Sequence, residues 1–325
     1  MTKIMTLVLV MENIDSGKIK MTDKVTVSEN ASNMGGSQVY LNVGEVMSVE
    51  DLIKSICIAS ANDSAVALAE YIGGTEEKFV KMMNDKVKIL GLSNTNFVNV
   101  HGLDDKKHYS CAYDMAIIAS ELLKHDKILE YSSIYEEYLK KNDGSSVWMV
   151  NTNKLIKYYN GLDGLKTGYT KQAGYNLTAT AKRNNMRLIS VVMGRDTSEV
   201  RSKDTIDLLD YGFNNYKIQI LKNKTDVVDE IKINKANQDK VSIIPKNDLS
   251  ILLMKNENPG EYSYETKINE LKLPIKSGDT VGNLLVKDNS GKIVKEVELT
   301  VEKDISKISF IRLWGNFIKG VITGD

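Results

Sequence analysis

The sequence predicts an α+β chain: a helical cluster closing on an antiparallel sheet, then a small all-β domain and a C-terminal amphipathic helix. Three observations carry this. Apolar residues recur at helical spacing in several stretches before residue 125. Residues 174–182 (GYNLTATAK) and 186–194 (MRLISVVMG) are rich in β-formers and flank the polar turn Arg183-Asn184-Asn185. After Tyr216 the texture changes to short alternating runs separated by Asn, Asp, Gly and Lys clusters. The domains are accordingly placed at 1–216, 217–305 and 306–325.

In chain order, residues 2–13 read as an amphipathic to fully buried helix ending before Asp15-Ser16-Gly17-Lys18. Residues 19–46, with Gly35-Gly36 and Gly44, read as short strands and loops. Residues 49–59 form a helix whose acidic first turn suits the helix dipole. Ser60-Ala61-Asn62-Asp63 interrupts it, because these side chains favour caps and turns. Further helices are expected over about 64–72, from Thr75 to a Gly91 stop, over about 112–124 and near 198–211, the last carrying Arg201. Between them lie the strands at 165–194. The β-module is read from the runs KIQIL, DVVDEIKI, VSIIP, LSILLM, YSYETKI, VGNLLV and KIVKEVELTV. In the tail, Ile308, Ile311, Leu313/Trp314, Phe317/Ile318 and Val321/Ile322 fall mostly on one helical side, with Lys307, Arg312 and Lys319 at its margin. That pattern suits an anchor lying on a membrane surface; the alternative is a helix docked on the β-module.

Composition narrows the function classes. Lys+Arg and Asp+Glu both number 43, so no basic excess points to nucleic acid. The two cysteines, Cys57 and Cys111, sit in apolar patterns and are expected as packed thiols. His101, His108 and His125 lack metal-ligand spacing, so neither a metal nor another cofactor is expected. No apolar run approaches the ~20 residues of a membrane-spanning helix. The first eleven residues have a short apolar core but no small-residue cleavage site, so a buried helix is preferred to a signal peptide.

The chemistry gathers around Lys166-Thr167-Gly168. On a sheet edge these residues offer an ammonium, a hydroxyl and an unobstructed backbone, which together suit a peptide carboxylate. About a hundred residues upstream stands Ser60-Ala61-Asn62, and at the start Met1-Thr2-Lys3-Ile4-Met5-Thr6. These segments resemble, in the order given, the K-T-G, S-D-N and S-x-x-K motifs of the penicillin-recognising serine enzymes, the last without its serine. The wider text (GGSQVYLNVGE, IASANDSAVALAEYIGG, NTNFVNVHGLDDKKHYSCAYDMAIIA, DGLKTGYTKQAGYNL) is similar to the D-alanyl-D-alanine carboxypeptidases among the low-molecular-weight penicillin-binding proteins. The resemblance is dense over 1–216 and weaker beyond.

The resemblance implies a β-lactamase/DD-peptidase-like first domain acting on peptidoglycan stem peptides ending in D-Ala–D-Ala, with β-lactam antibiotics as inhibitors. It places the protein on the extracytoplasmic face of the bacterial membrane. It implies that a serine immediately before Met1 attacks the penultimate carbonyl and that Lys3 takes its proton. Ser60 would relay that proton to the leaving D-alanine and Asn62 would hold the substrate amide. Lys166 and Thr167 would bind the carboxylate with help from Arg201, and Gly168 would keep the strand edge open. The oxyanion hole would combine the serine N–H with one on the strand near Tyr169.

No intact S-x-x-K occurs in the 325 residues. The first strands of the family sheet and a signal peptide are likewise missing from the text. The expectation is an N-terminally truncated chain without acyl-transfer activity. Three readings follow: a carboxypeptidase lacking its nucleophile, a non-catalytic peptidoglycan-binding remnant, and a β-lactamase. The last is disfavoured because no deacylating glutamate motif is evident and because the β-module and tail suit a wall enzyme.

Overall fold

The computed structural model describes residues 1–238, 240–258 and 260–308. It divides into two compact units, Met1–Phe213 and the part from Asn214 onward.

The first unit is built around helix α1 (Lys3–Asp15), in which every residue from Lys3 to Met11 is buried. A helix apolar on all sides belongs in a core, and α1 packs against three other helices and one strand. Strand β1 (Lys24–Thr26), the short helix α2 (Glu29–Ser32) and strand β2 (Val46–Ser48) follow, with β1 and β2 paired antiparallel. Helix α3 (Val49–Ile58) starts at an N-cap, Ser48, whose side chain accepts from the Asp51 N–H. Helix α4 (Asn62–Gly73) begins earlier than the expected 64, so Asn62 and Asp63 lie in its first turn. The reason is Asp63: its buried carboxylate accepts backbone N–H groups from Val39, Leu41 and Ser64, holding the 39–41 loop onto the helix start. An acidic first turn is also favoured by the helix dipole.

Helix α5 (Glu76–Ile89) starts one residue after the expected Thr75, which is its N-cap, and α6 (Ala112–Leu122) is capped by Cys111, whose sulfur accepts from the Asp114 N–H. Cys111 is therefore a half-exposed capping residue and not a packed thiol, whereas Cys57 is buried; both are free. Residues 125–160, which carry no element in the sequence reading, hold helix α7 (Ile128–Ser132), the hairpin β3 (Glu136–Lys140) and β4 (Ser146–Val150), and helix α8 (Leu155–Tyr158).

Strands β5 (Leu162–Thr170), β6 (Gly174–Arg183) and β7 (Met186–Arg195) form an antiparallel sheet in the order β5-β6-β7, which puts Lys166-Thr167-Gly168 on an edge strand. Helix α9 (Ser198–Asn215) follows and buries Arg201.

The second unit contains β8 (Tyr216–Lys222), β9 (Asp229–Ile231), β10 (Val241–Pro245), β11 (Leu249–Met254), β12 (Ser263–Ile268), β13 (Gly282–Lys287) and β14 (Ile293–Val301). Each arises in one of the alternating runs. They form a five-stranded sheet, β12-β13-β14-β10-β9, and a β8/β11 pair. Both contribute to one core of Val241, Ile243, Leu249, Leu284, Val286, Leu299 and Val301. Lys307 bridges antiparallel to Ala236. The amphipathic helix expected in the tail lies, from residue 309 onward, outside the described residues.

Candidate active site

The start of α1, the α3–α4 turn, the 101–110 loop, β5 and α9 converge on one open cleft of about 720 Å³ in the first unit. Its lining includes every residue singled out in the sequence: Lys3, Ser60, Asn62, Lys166, Thr167, Gly168 and Arg201.

Lys3 is 5% exposed, in the first turn of α1. Its Nζ donates to Asn62 Oδ1 at 2.5 Å and to the His101 carbonyl oxygen at 3.0 Å. No carboxylate is among these partners. Burial, then the nearby Lys166 charge, push its pKa well below the ordinary lysine value, partly offset by Asp63. A lysine held in this way tends towards the free amine that a general base requires.

Asn62 is fixed on both sides. Its Nδ2 donates to the Gly35 carbonyl at 2.6 Å, and its backbone N–H to the Ser37 carbonyl at 2.7 Å. Gly36, at φ +80°, leaves room for that amide: a Cβ there would lie 2.8 Å from Asn62 Nδ2. Ser60 stands in the turn at φ +62°, a left-handed conformation that non-glycine residues seldom adopt. Such strain is maintained only where the surroundings impose it, and it concentrates at functional positions.

Lys166 is 2% exposed. Its Nζ lies 3.5 Å from both Thr152 Oγ1 and the Thr167 carbonyl, long contacts for an ammonium. Burial lowers its pKa to about 8; the neighbouring Cys57 thiol raises it, and Arg201 lowers it further. Thr167 Oγ1 donates to Thr152 Oγ1 at 2.8 Å. Arg201 is buried to 8% exposure, its Nε has no hydrogen-bond partner, and burial is the main cause of its lowered pKa. Two buried cations with weak or missing partners, on a strand edge and the helix beside it, amount to a preformed anion site. A Cβ on Gly168 would approach the Met1 backbone nitrogen to 2.7 Å, so this position must stay bare for α1 to reach the strand. Tyr169, 59% exposed, packs its ring 4.3 Å from that of Tyr175 at the rim.

Some residues at the site were not anticipated. Thr152, just beyond β4, orients Thr167. His101 acts through its main-chain oxygen. His108 accepts the Val98 N–H at Nδ1, so its Nε2 carries the proton and donates to Thr2 Oγ1 at 2.7 Å. Both imidazoles are pushed down to about 4, chiefly by burial.

A buried lysine on a core helix, a Ser-x-Asn turn and a Lys-Thr-Gly edge strand around one cleft define the class of the penicillin-recognising acyl-transfer proteins. Comparison with known proteins narrows it. Residues 1–197 match the D-alanyl-D-alanine carboxypeptidase peptidase family, and residues 216–307 match the C-terminal domain of penicillin-binding protein 5. The D-alanyl-D-alanine carboxypeptidase DacF of Bacillus subtilis is 46% identical over 312 residues, covering 96% of this chain and 80% of that protein. The crystal structure of penicillin-binding protein 5 from Haemophilus influenzae has a TM-score of 0.70 at 34% identity, covering 94% of this chain and 89% of that one. The ampicillin-bound penicillin-binding protein D2 from Listeria monocytogenes has a TM-score of 0.58 at 34% identity, covering 65% and 85%. This chain belongs to the D-alanyl-D-alanine carboxypeptidase family.

Proposed function

We propose that the protein serves serine-type removal of the terminal D-alanine from peptidoglycan stem peptides, with its 325 residues supplying the base, the relay and the carboxylate site. The observation that carries this is the placement of Lys3. It is tied to Asn62, has no carboxylate among its hydrogen-bond partners, and its pKa is depressed first by burial and then by the Lys166 charge across the same cleft.

In this reading the stem peptide lies antiparallel to the open edge of β5. Lys166, with Arg201 beside it, takes the C-terminal carboxylate, and the Thr167 hydroxyl donates one hydrogen bond to it. Gly168 lets the backbone approach, and Asn62 offers its amide to the penultimate peptide group. The nucleophilic serine belongs immediately before Met1, one helical turn ahead of Lys3, so both side chains project from one face. Lys3 as free amine takes the serine proton, and Ser60 passes a proton to the leaving D-alanine nitrogen. Water then hydrolyses the ester to the shortened stem and regenerates the hydroxyl. A β-lactam forms the same ester and is retained.

The β-rich region 217–305 and the tail 306–325 would carry the peptidase domain at the outer face of the cell membrane. The sequence pattern of the tail supports a surface-lying anchor. Among the described residues no helix is long and apolar enough to cross a membrane.

A second reading is a non-catalytic binder of D-Ala–D-Ala ends, for which the weakly partnered Lys166 and Arg201 would suffice. One experiment separates the two. A variant bearing a serine ahead of Met1 is incubated with a fluorescent penicillin and with a stem pentapeptide, alongside the 325-residue chain. Stable acylation and D-alanine release by the serine-bearing protein, both lost with Lys3→Ala, are expected for the enzyme. A folded serine-bearing protein that binds the pentapeptide but forms no acyl adduct would leave only the binder.

A further inference from the structure

The β3/β4 hairpin presents an aromatic pair to solvent for which neither the fold nor the cleft chemistry has a use. Tyr138 and Trp148 are direct partners across the two strands, yet they are 65% and 58% exposed. Buried Leu139 and Met149 hold the opposite face of the hairpin to the core, so the exposed face has a fixed orientation. An aromatic side chain offers 150–250 Å² of apolar surface, about twice as much for a pair, and leaving it in water is unfavourable unless something covers it.

The position of the pair indicates what covers it. Along β4 and its extension the burial alternates: Met149 and Asn151 are buried, while Trp148 is exposed and Val150 and Thr152 are half-buried. The Asn151 N–H still donates to the Tyr135 carbonyl at 2.7 Å, so the strand geometry continues past Val150. Residues 148 and 150 therefore point to one side of β4, and Thr152 follows in the bend just beyond it. Thr152 is the cleft residue that accepts from Thr167 and Lys166. The aromatic pair thus lies outside the cleft lining, with Trp148 at most about 14 Å of extended chain from Thr152. Around it stand groups able to hydrogen-bond with hydroxyls: Glu136 and Lys140 from β3 and Ser146 from β4, all exposed. Flat apolar rings edged by a carboxylate, an ammonium and a hydroxyl do not suit a purely apolar partner. They suit a pyranose, whose faces are apolar C–H surfaces and whose rim is hydroxyl and amide.

We propose that Tyr138 and Trp148 form a carbohydrate subsite for the amino-sugar chain that carries the stem peptide, so that glycan and peptide are held at once on one continuous surface. This rests on the reading of the cleft as a stem-peptide site, but the two are tested separately. The binding of tetra-N-acetylchitotetraose, a soluble chain of β-1,4-linked N-acetylglucosamine, is followed by tryptophan fluorescence and calorimetry on the full chain. A pentapeptide ending in D-Ala–D-Ala is titrated in parallel. The expected result is saturable oligosaccharide binding with a change in Trp148 emission. Trp148→Ala and Tyr138→Ala should weaken it at least tenfold, and Trp148→Phe should retain most of it. Pentapeptide binding should be unchanged by these substitutions and lost in Lys166→Ala, which in turn should still bind the oligosaccharide. Absence of oligosaccharide binding, or equal binding by a folded Trp148→Ala protein, overturns the subsite whatever the peptide does. So does sedimentation showing a dimer that Trp148→Ala dissolves without any effect of the sugar, because the pair would then be a contact between two copies. Failure of the pentapeptide arm alone strikes the cleft reading and leaves the sugar result standing.

Discussion

Replacing Lys166 with methionine should stabilise the fold while abolishing the function proposed for the cleft. The ammonium is 2% exposed with only two long contacts, and its pKa falls from the ordinary 10.5 to about 8. At ~1.4 kcal/mol per unit, keeping it charged in the free site costs about 3 kcal/mol at neutral pH. Because the folded pKa is lowered, the unfolded chain binds more protons between about pH 8 and 10.5. The cost is present in full below about pH 8 and fades as pH rises towards 10.5. Methionine has nearly the same length and carries no charge. Lys166→Met should therefore gain about 2–3 kcal/mol at pH 7, roughly 5 °C or more for a unit of this size. Its advantage over the parent should shrink steadily above pH 8. Denaturant titrations of both proteins between pH 7 and 10, with calorimetric binding of a D-Ala–D-Ala pentapeptide, provide the check. A variant that is less stable than the parent at pH 7, or whose difference does not change up to pH 10, would refute this account of the strand-edge cation.

Two further outcomes follow from the same geometry. Asn62→Ala removes the 2.5 Å bond from Lys3 and the 2.6 Å bond to Gly35. With two buried bonds lost, unfolding free energy should fall by about 1–3 kcal/mol, measured by urea denaturation, and pentapeptide binding should weaken with it. In acid, His101 and His108 must gain protons that the fold resists, since both pKa values drop from 6.5 to about 4. The unfolded chain then binds more protons in this window, so stability should decline as pH falls from about 6.5 to 4. Asp63, whose carboxyl is raised by burial, works in the opposite sense over the carboxylate range. The double variant His101→Gln/His108→Gln should show a visibly flatter profile between pH 6.5 and 5 in the same denaturation assay.

The parts of the fold that were legible in the sequence are those where side-chain chemistry alone selects the conformation. Helix α1 is apolar on every side with a single lysine in its first turn, and this pattern signals a core helix with a purposeful charge. Strands β6 and β7 are runs rich in β-formers around Asn184, which takes the positive φ their turn needs. The β3/β4 hairpin escaped because one of its faces is solvated: EEYLK reads as polar chain, although Asn142-Asp143-Gly144 is a usable turn signal. At the site, the three motif segments were readable as residue types at characteristic positions. Thr152 was not, because a threonine just past a strand looks like any other. His101 was hidden for a deeper reason: it holds Lys3 with a carbonyl oxygen, a group that every residue has.

The electrostatics of the free cleft run against stability. Burial lowers the pKa of both Lys3 and Lys166, the Lys166 charge lowers Lys3 further, Arg201 has a buried Nε with no partner, and among the described residues no carboxylate pairs with any of the three. A fold selected for stability alone would pair or replace these cations, since unpaired buried charge is among the most unfavourable arrangements available. Here the unmet demand is divided in space. Lys166 and Arg201 sit on β5 and α9, where an incoming carboxylate would answer both, and Lys3 sits on α1, where a proton from a hydroxyl would answer it. Burial is the main cause of the lowered Lys3 pKa and the Lys166 charge the second, so a carboxylate arriving at the strand edge would offset that second part and raise the Lys3 pKa. The anion site and the base are thus coupled through a single Coulomb interaction, and the arrangement that weakens the empty fold prepares the filled one.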